Sequence, residues 1–243
     1  HSHVGTRLVP ATPTETQWDM IGDTPMIREV EANLRATGVK ALDIEILRVK
    51  PDTRAINWKP FFETGARLGA SQVLVAGNDP DYNRFCDNFA ELCEIAHPYG
   101  LTLNVEPMPW CDIATVKAAG DAMKRVNRPN AGVLVDPIHF FRADNRYEDI
   151  DALPPGSLHY CQMCDITAER PKDMDGILYQ ARNFRLSPGT GAADLKTLLK
   201  HLPGLPISIE ACNAELALTL SPLDRARMYL EDMVAVLNAA GEH

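Results

Sequence analysis

Basic residues are in short supply. Across 243 residues there are 24 Lys and Arg against 33 Asp and Glu, a net charge of −9. A duplex nucleic-acid binder needs a basic face to displace counterions, so this balance argues against nucleic acid as the partner. No stretch approaches the ~18 consecutive apolar residues of a membrane helix, and no signal-peptide pattern opens the chain. The six cysteines (Cys86, Cys93, Cys111, Cys161, Cys164 and Cys212) are too sparse for a disulfide framework, and reduced thiols in a cytoplasmic protein are expected. Cys161-x-x-Cys164 is not expected to hold a metal: on a strand, positions three apart point to opposite faces. There is no Gly-x-Ser-x-Gly elbow, repeat or low-complexity segment. Ser187-Pro-Gly-Thr-Gly191 lacks the Lys-Ser/Thr of a phosphate-binding P-loop and reads as a turn before Asp194, a candidate helix N-cap.

What is present is an alternation of strand-like and helix-like segments. Strands are expected at His3–Val9, Ala41–Val49, Gln72–Asn78, Leu101–Pro107, Ala131–Pro137, Leu158–Asp165 and Pro206–Ala211. Amphipathic helices are expected at Pro25–Thr37, Trp58–Leu68, Pro80–His97, Ile113–Val126 and Leu195–Leu202. A last helix, Leu223–Ala240, has Leu223, Ala226, Leu230, Met233, Val234 and Leu237 on one face, with Ser221-Pro222 as cap and first turn. This alternation implies one α/β domain over residues 1–243, a parallel (β/α)8 barrel. Such a barrel has eight strands and seven are visible, so the first strand and helix are expected to be missing from this chain. The long loops, Pro10–Thr24, Arg142–Ser157 and Ile166–Thr190, all follow strand ends, where barrel enzymes place substrate loops.

Four strands end in a metal-competent polar residue: Glu106, Asp136, Gln162 and Glu210. Burying an unpaired carboxylate costs several kcal/mol or more, so such groups are paired or bound to a cation. Leu103 and Val105 take one face and Thr102, Asn104 and Glu106 the other; Ser208 and Glu210 likewise oppose Ile207 and Ile209. In a barrel these polar faces point inward and the strand ends converge. Three carboxylates and an amide oxygen form an all-oxygen set that favours Mg²⁺ or Mn²⁺, with Zn²⁺ less suited. His139, three residues past Asp136, is a candidate acid/base or substrate contact, whereas His159, on the face opposite Gln162, is read as packing. Asp43 and Glu45 share one strand face, and Glu45 is a candidate substrate contact. Arg7, Arg182 and Arg185 are candidates to hold an anionic or hydroxylated substrate through the guanidinium fork.

Asn104-Val-Glu106-Pro, Val135-Asp136-Pro-Ile-His139, Tyr160-Cys-Gln162-Met-Cys-Asp165, Pro188-Gly-Thr-Gly191-x-x-Asp194-Leu and Ser208-Ile-Glu210 together resemble the xylose isomerase-like TIM barrel superfamily. The resemblance spans nearly the whole chain, starting at what would be the family's second strand. It implies Glu106, Asp136, Gln162 and Glu210 as metal ligands and His139 as a substrate contact. The implied activity is that of a metal-dependent sugar or sugar-phosphate isomerase or epimerase, with Glu106 or Glu210 as base. A dehydratase of the 3-dehydroshikimate or inosose type is the alternative, favoured by Gln162 where keto-sugar epimerases usually carry His. A non-catalytic sugar-acid binding protein is the rival from another class. The late loop reads Gly189-Thr-Gly191 where the family usually carries Gly-Glu-Gly. The endonuclease branch needs several further histidines that the strand ends do not supply. Expected partners are a small polyhydroxylated substrate and a further copy of the chain in a homo-oligomer, with neither nucleic acid nor membrane.

Overall fold

The computed structural model describes residues 1–12 and 14–241; Pro13, within the expected Pro10–Thr24 loop, and Glu242 and His243, at the end of the expected 1–243 domain, lie outside the described residues. Among these described residues seven parallel strands pair in chain order: β1 (His3–Arg7), β2 (Lys40–Val49), β3 (Gln72–Gly77), β4 (Thr102–Val105), β5 (Ala131–Val135), β6 (Leu158–Met163) and β7 (Ile207–Ile209). They form a nearly closed barrel, and no pairing joins β7 to β1 among the described residues.

Among the described residues ten α-helices accompany them: α1 (Pro25–Thr37), α2 (Lys59–Leu68), α3 (Tyr82–Ala96), α4 (Val116–Val126), α5 (Pro137–Arg142), α6 (Tyr147–Asp151), α7 (Met174–Asn183), α8 (Leu195–Lys200), α9 (Ala214–Thr219) and α10 (Pro222–Ala240). Local chemistry sets their ends. Thr24 Oγ1 accepts the Ile27 N–H, Pro25 occupies the first turn, and Gly38 stops α1 in the left-handed region at φ 72°. Ser221 and Pro222 start α10, and Asp194 caps α8 through the Thr197 N–H.

Strand parity separates two apolar layers. Val73, Val75, Leu103, Val105 and Val133 point outward and pack with Phe61, Phe62, Phe85 and Phe89 of the helices. Leu74, Ala76, Leu134, Ile46 and Tyr160 fill the barrel interior. Asn104 and Glu106, of opposite parity to Leu103 and Val105, are therefore inside, both buried. Cys161 packs outward with Val135 and Met163, while Cys164 lies against Asp136, so the two thiols do not share a site.

Two expectations are corrected. His159 does not face away from the interior. The β5–β6 register shifts between Val133↔Leu158 and Val135↔Cys161, and this irregularity turns His159 inward, where its Nδ1 lies 2.9 Å from Asn104 Oδ1. It still packs, against Gly132: a Cβ there would collide with the His159 ring and with Asn104 Oδ1. In α10 the buried face runs through Met233 and Val236, leaving Leu223 and Val234 exposed. The loop expected at Arg142–Ser157 contains α6, and that at Ile166–Thr190 contains α7.

Candidate active site

Glu106 is the first residue past β4, its N–H held by the Val75 carbonyl at 2.9 Å. Asp136 is the first past β5. It caps α5 by accepting the Ile138 N–H on Oδ1 at 2.9 Å, leaving Oδ2 for other partners. One helical turn on, His139 returns over the same spot. Its Nε2 lies 3.5 Å from Glu106 Oε1 and 4.0 Å from Asp136 Oδ2. The donor atoms of Glu106, Asp136 and His139 all lie within 4.8 Å of one another, and all three residues are buried. The Trp110 indole meets the His139 ring edge-to-face, centroids 5.0 Å apart.

Arg185 ties this cluster to the next strand end. Its guanidinium donates to Asp136 Oδ2, lies 3.0 Å from Glu210 Oε2 and donates to the Glu210 carbonyl at 3.0 Å. Nε donates to the Ala181 carbonyl at 2.7 Å. Expected as a substrate contact, Arg185 is 4% exposed and already committed to two carboxylates. Arg7 and Glu45 pair with each other at 2.8 Å, and Arg7 also reaches Glu15 at 3.5 Å. Arg182, exposed, lines a cleft with Trp110. Gln162 is buried at the inner end of β6.

Burial dominates the electrostatics. It pushes Glu106 well above the ordinary carboxylate range, with the charges of Glu210 and Asp136 adding to the rise. Glu210 is pushed up to about 8 by burial, against the pull of Arg185 and with help from Glu45. Asp136 goes the other way: burial would raise it, but Arg185 and His139 hold it below its usual value. Burial lowers His139 to about 4, so its imidazole is neutral at pH 7 and has a free lone pair. Glu106 Oε1 and Gln162 Oε1 are buried without a hydrogen-bond partner, while the His139 Nε2 that faces Glu106 and Asp136 is the ring's acceptor, 3.5 Å from Arg185 Nη2. Buried acceptors of this kind are ordinarily satisfied, and two carboxylates, an imidazole and an amide oxygen make a donor set fit for a divalent cation. His139 joins that set; the strand-end pattern alone pointed to oxygen donors.

Two features carried no signal strong enough to be assigned a role from sequence. Asp165, 1% exposed, accepts the backbone N–H groups of Ile166, Gly189, Gly191 and Ala193 at 2.8–2.9 Å, so one carboxylate shapes the Ser187–Gly191 turn. Tyr160 buries its hydroxyl in the interior near Asp43, whose carboxyl is pushed up to about 7 by burial and Glu45. The Gln-Met-Cys-Asp165 motif was visible; the backbone nest it anchors, across more than twenty residues, was not.

The xylose isomerase-like TIM barrel family model matches residues 8–235, and the chain belongs to that family. Among curated proteins it is 28% identical over 164 residues to a 3-dehydroshikimate dehydratase of Pseudomonas aeruginosa, a match covering 63% of this chain and 25% of that protein. It is 32% identical over 120 residues to an inosose isomerase of Bacillus licheniformis, covering 49% of this chain and 41% of that one. The matches therefore span well under half of either relative. A solved IOLI protein with a bound zinc atom shares the fold at a TM-score of 0.74 and 22% identity, over 90% of this chain and 83% of that one. The relatives are enzymes that act on small sugar-like compounds.

Proposed function

We propose that this chain is a divalent-metal-dependent isomerase or epimerase that removes a proton next to a carbonyl of a small polyhydroxylated substrate. The observation that carries the reading is the buried Glu106–Asp136–His139 cluster, with unsatisfied oxygens on Glu106 and Gln162 and with Glu210 joined to it through Arg185. Glu106, Asp136, His139, Gln162 and Glu210 are the residues that would hold the ion. The imidazole in that set admits Zn²⁺ beside Mn²⁺ and Mg²⁺. When bound, such an ion supplies Lewis-acid polarisation of the substrate oxygens and stabilises the charge that develops as the proton leaves.

The protein's own groups do the rest. Glu210 is the better placed base: it is the more exposed of the two glutamates, and a value near 8 matches a proton acceptor working close to neutrality. Arg185 orients Glu210 and Asp136 from behind. Trp110 covers the His139 ring and keeps water from that side. Returning the proton to another face or carbon gives epimerisation or isomerisation. Expelling a β-hydroxyl instead gives a dehydratase, a second reading favoured by Gln162 and by the similarity to the 3-dehydroshikimate dehydratase.

The test is thermal unfolding of EDTA-treated protein titrated with Mn²⁺, Mg²⁺ and Zn²⁺, followed by assay on keto-sugars and dehydroshikimate. A ligand that binds only the folded state raises Tm by mass action, about 2.7 kcal/mol at a hundred times Kd. A saturable rise that Glu210→Ala diminishes, with turnover lost in that variant, is the expected result. No response to any ion, or full activity in Glu210→Ala, sinks the proposal.

A further inference from the structure

The acidic cluster has a basic neighbour. In a chain of net charge −9, a cleft of about 670 Å³ beyond the ends of β2 and β3 is lined by Arg48, Lys50, Asn78, Trp110 and Arg182, with Asp52 as the acid among its lining residues. A second cleft of about 310 Å³ shares Arg48 and Lys50 and adds Arg54.

Arg48 is the informative residue. It is half-buried near the end of β2, and its hydrogen bonds go to neutral acceptors: Nη1 to Asn78 Oδ1 at 3.2 Å and Nη2 to the Ala11 carbonyl at 2.9 Å. Burial and the Arg182 charge both press against its own charge. Elsewhere at the mouth the arginines are neutralised: Arg7 by Glu45, Arg185 by Asp136 and Glu210. By contrast Arg48, Lys50, Arg54 and Arg182 form no ion pair among the described residues. Gathering cations around a cavity without carboxylate partners costs stability, unless an anion arrives to use the forked donors. The cleft also leads to the candidate centre: Trp110 lines it on one side and abuts His139 on the other.

We infer that this cleft binds an oxyanion of the substrate, a carboxylate or a phosphate, gripped by Arg48 and Arg182 with Lys50 in support, so that the compound processed is an anionic polyhydroxy compound and not a neutral sugar or cyclitol. This rests on reading the carboxylate cluster as the reaction centre, since the cleft then fixes which end of the substrate reaches Glu210.

The test is calorimetric titration of the full chain, with Mn²⁺ present, using three unreactive polyols: shikimate, sorbitol 6-phosphate and myo-inositol. One of the two anionic probes binds at least tenfold more tightly than myo-inositol, and the tighter of them assigns carboxylate or phosphate. In Arg48→Gln/Arg182→Gln the preference falls below threefold. Arg182 is exposed, so Arg182→Gln alone keeps the test readable if the half-buried Arg48 is needed for folding; there the preference falls at least threefold. Myo-inositol binding as well as both anions overturns the inference, as does absence of binding by either anion, or a preference that survives the substitutions. The Mn²⁺ melting titration of the unmodified chain is read separately. If it shows no shift while the anion preference holds, the metal-enzyme reading falls and the oxyanion site stands.

Discussion

Replacing Arg185 by methionine tests the electrostatic logic of the site most directly. The side chain keeps most of the volume and loses the charge. Asp136, with 0% side-chain exposure, and Glu210, at 22%, then lose the cation between them. Removing one partner of a buried ion pair costs about 3–5 kcal/mol. In a chain of this size each kcal/mol moves Tm by about 2–4 °C, so Arg185→Met should melt roughly 6–20 °C lower in EDTA. The deficit depends on pH with a definite sign. In the unmodified protein Asp136 is held below its ordinary value, a contribution present above the unfolded value and lost as pH falls through the folded one. Without Arg185, burial, the largest influence on Asp136, is opposed only by His139 and the Ile138 N–H, so the folded carboxyl binds a proton that the unfolded chain gives up and stability falls as pH rises. The loss should therefore be larger at pH 8 than at pH 5. Mn²⁺ should recover more stability in Arg185→Met than in the parent, because an ion replaces the missing charge. Calorimetric melting at pH 5, 6.5 and 8 reads all of this. A deficit under about 1 kcal/mol at pH 8, or one independent of pH, would refute the claim that Arg185 compensates these carboxylates.

Three further outcomes follow from the same geometry. Glu210 at about 8 carries a proton at pH 6 that an incoming ion must displace, and burial shifts Glu106 upward in the same direction, so Mn²⁺ affinity should rise on the order of tenfold or more between pH 6 and pH 8; a flat affinity counts against Glu210 as a ligand. Asp165→Asn weakens the hub that holds four backbone N–H groups and should cost about 1–3 kcal/mol in urea unfolding; an unchanged midpoint removes Asp165 as the organiser of the Ser187–Gly191 turn. Gly132→Ala forces a methyl against His159 and Asn104 and should cost about 1–3 kcal/mol; a neutral effect in the same assay means the β6 irregularity relaxes freely.

The seven strands and the convergence of Glu106 and Asp136 were legible because they depend on local pattern: β-branched runs, a polar residue at the end, and parity two. The α1 limits were legible too, since Thr24, Pro25 and Gly38 fix them within the segment. What stayed hidden was set elsewhere in the chain. α5 and α9 have six residues each and α6 has five, too few to display a period against the loops around them. The inward turn of His159 follows from a register shift with β5, and parity counted along β6 alone has no access to it. The Arg185 pair with Asp136 joins positions 49 residues apart, and nothing in the spacing of arginines foretells it. The expected metal set was oxygen-only because His139 was assigned to acid/base chemistry or substrate contact and not to the ion; a single turn of helix, started by Asp136 itself, carries its Nε2 to Glu106.

That turn links folding to chemistry. Asp136 gives one oxygen to the first turn of α5 and keeps the other for the site, so the residue that starts the helix also aims His139. The chain cannot form α5 in this way without assembling two of the three clustered donors, and it cannot lose the cap without scattering them. Most of the ordering entropy of the centre is therefore spent during folding, before any ion or substrate arrives, and an encounter with either finds the donors already waiting in register.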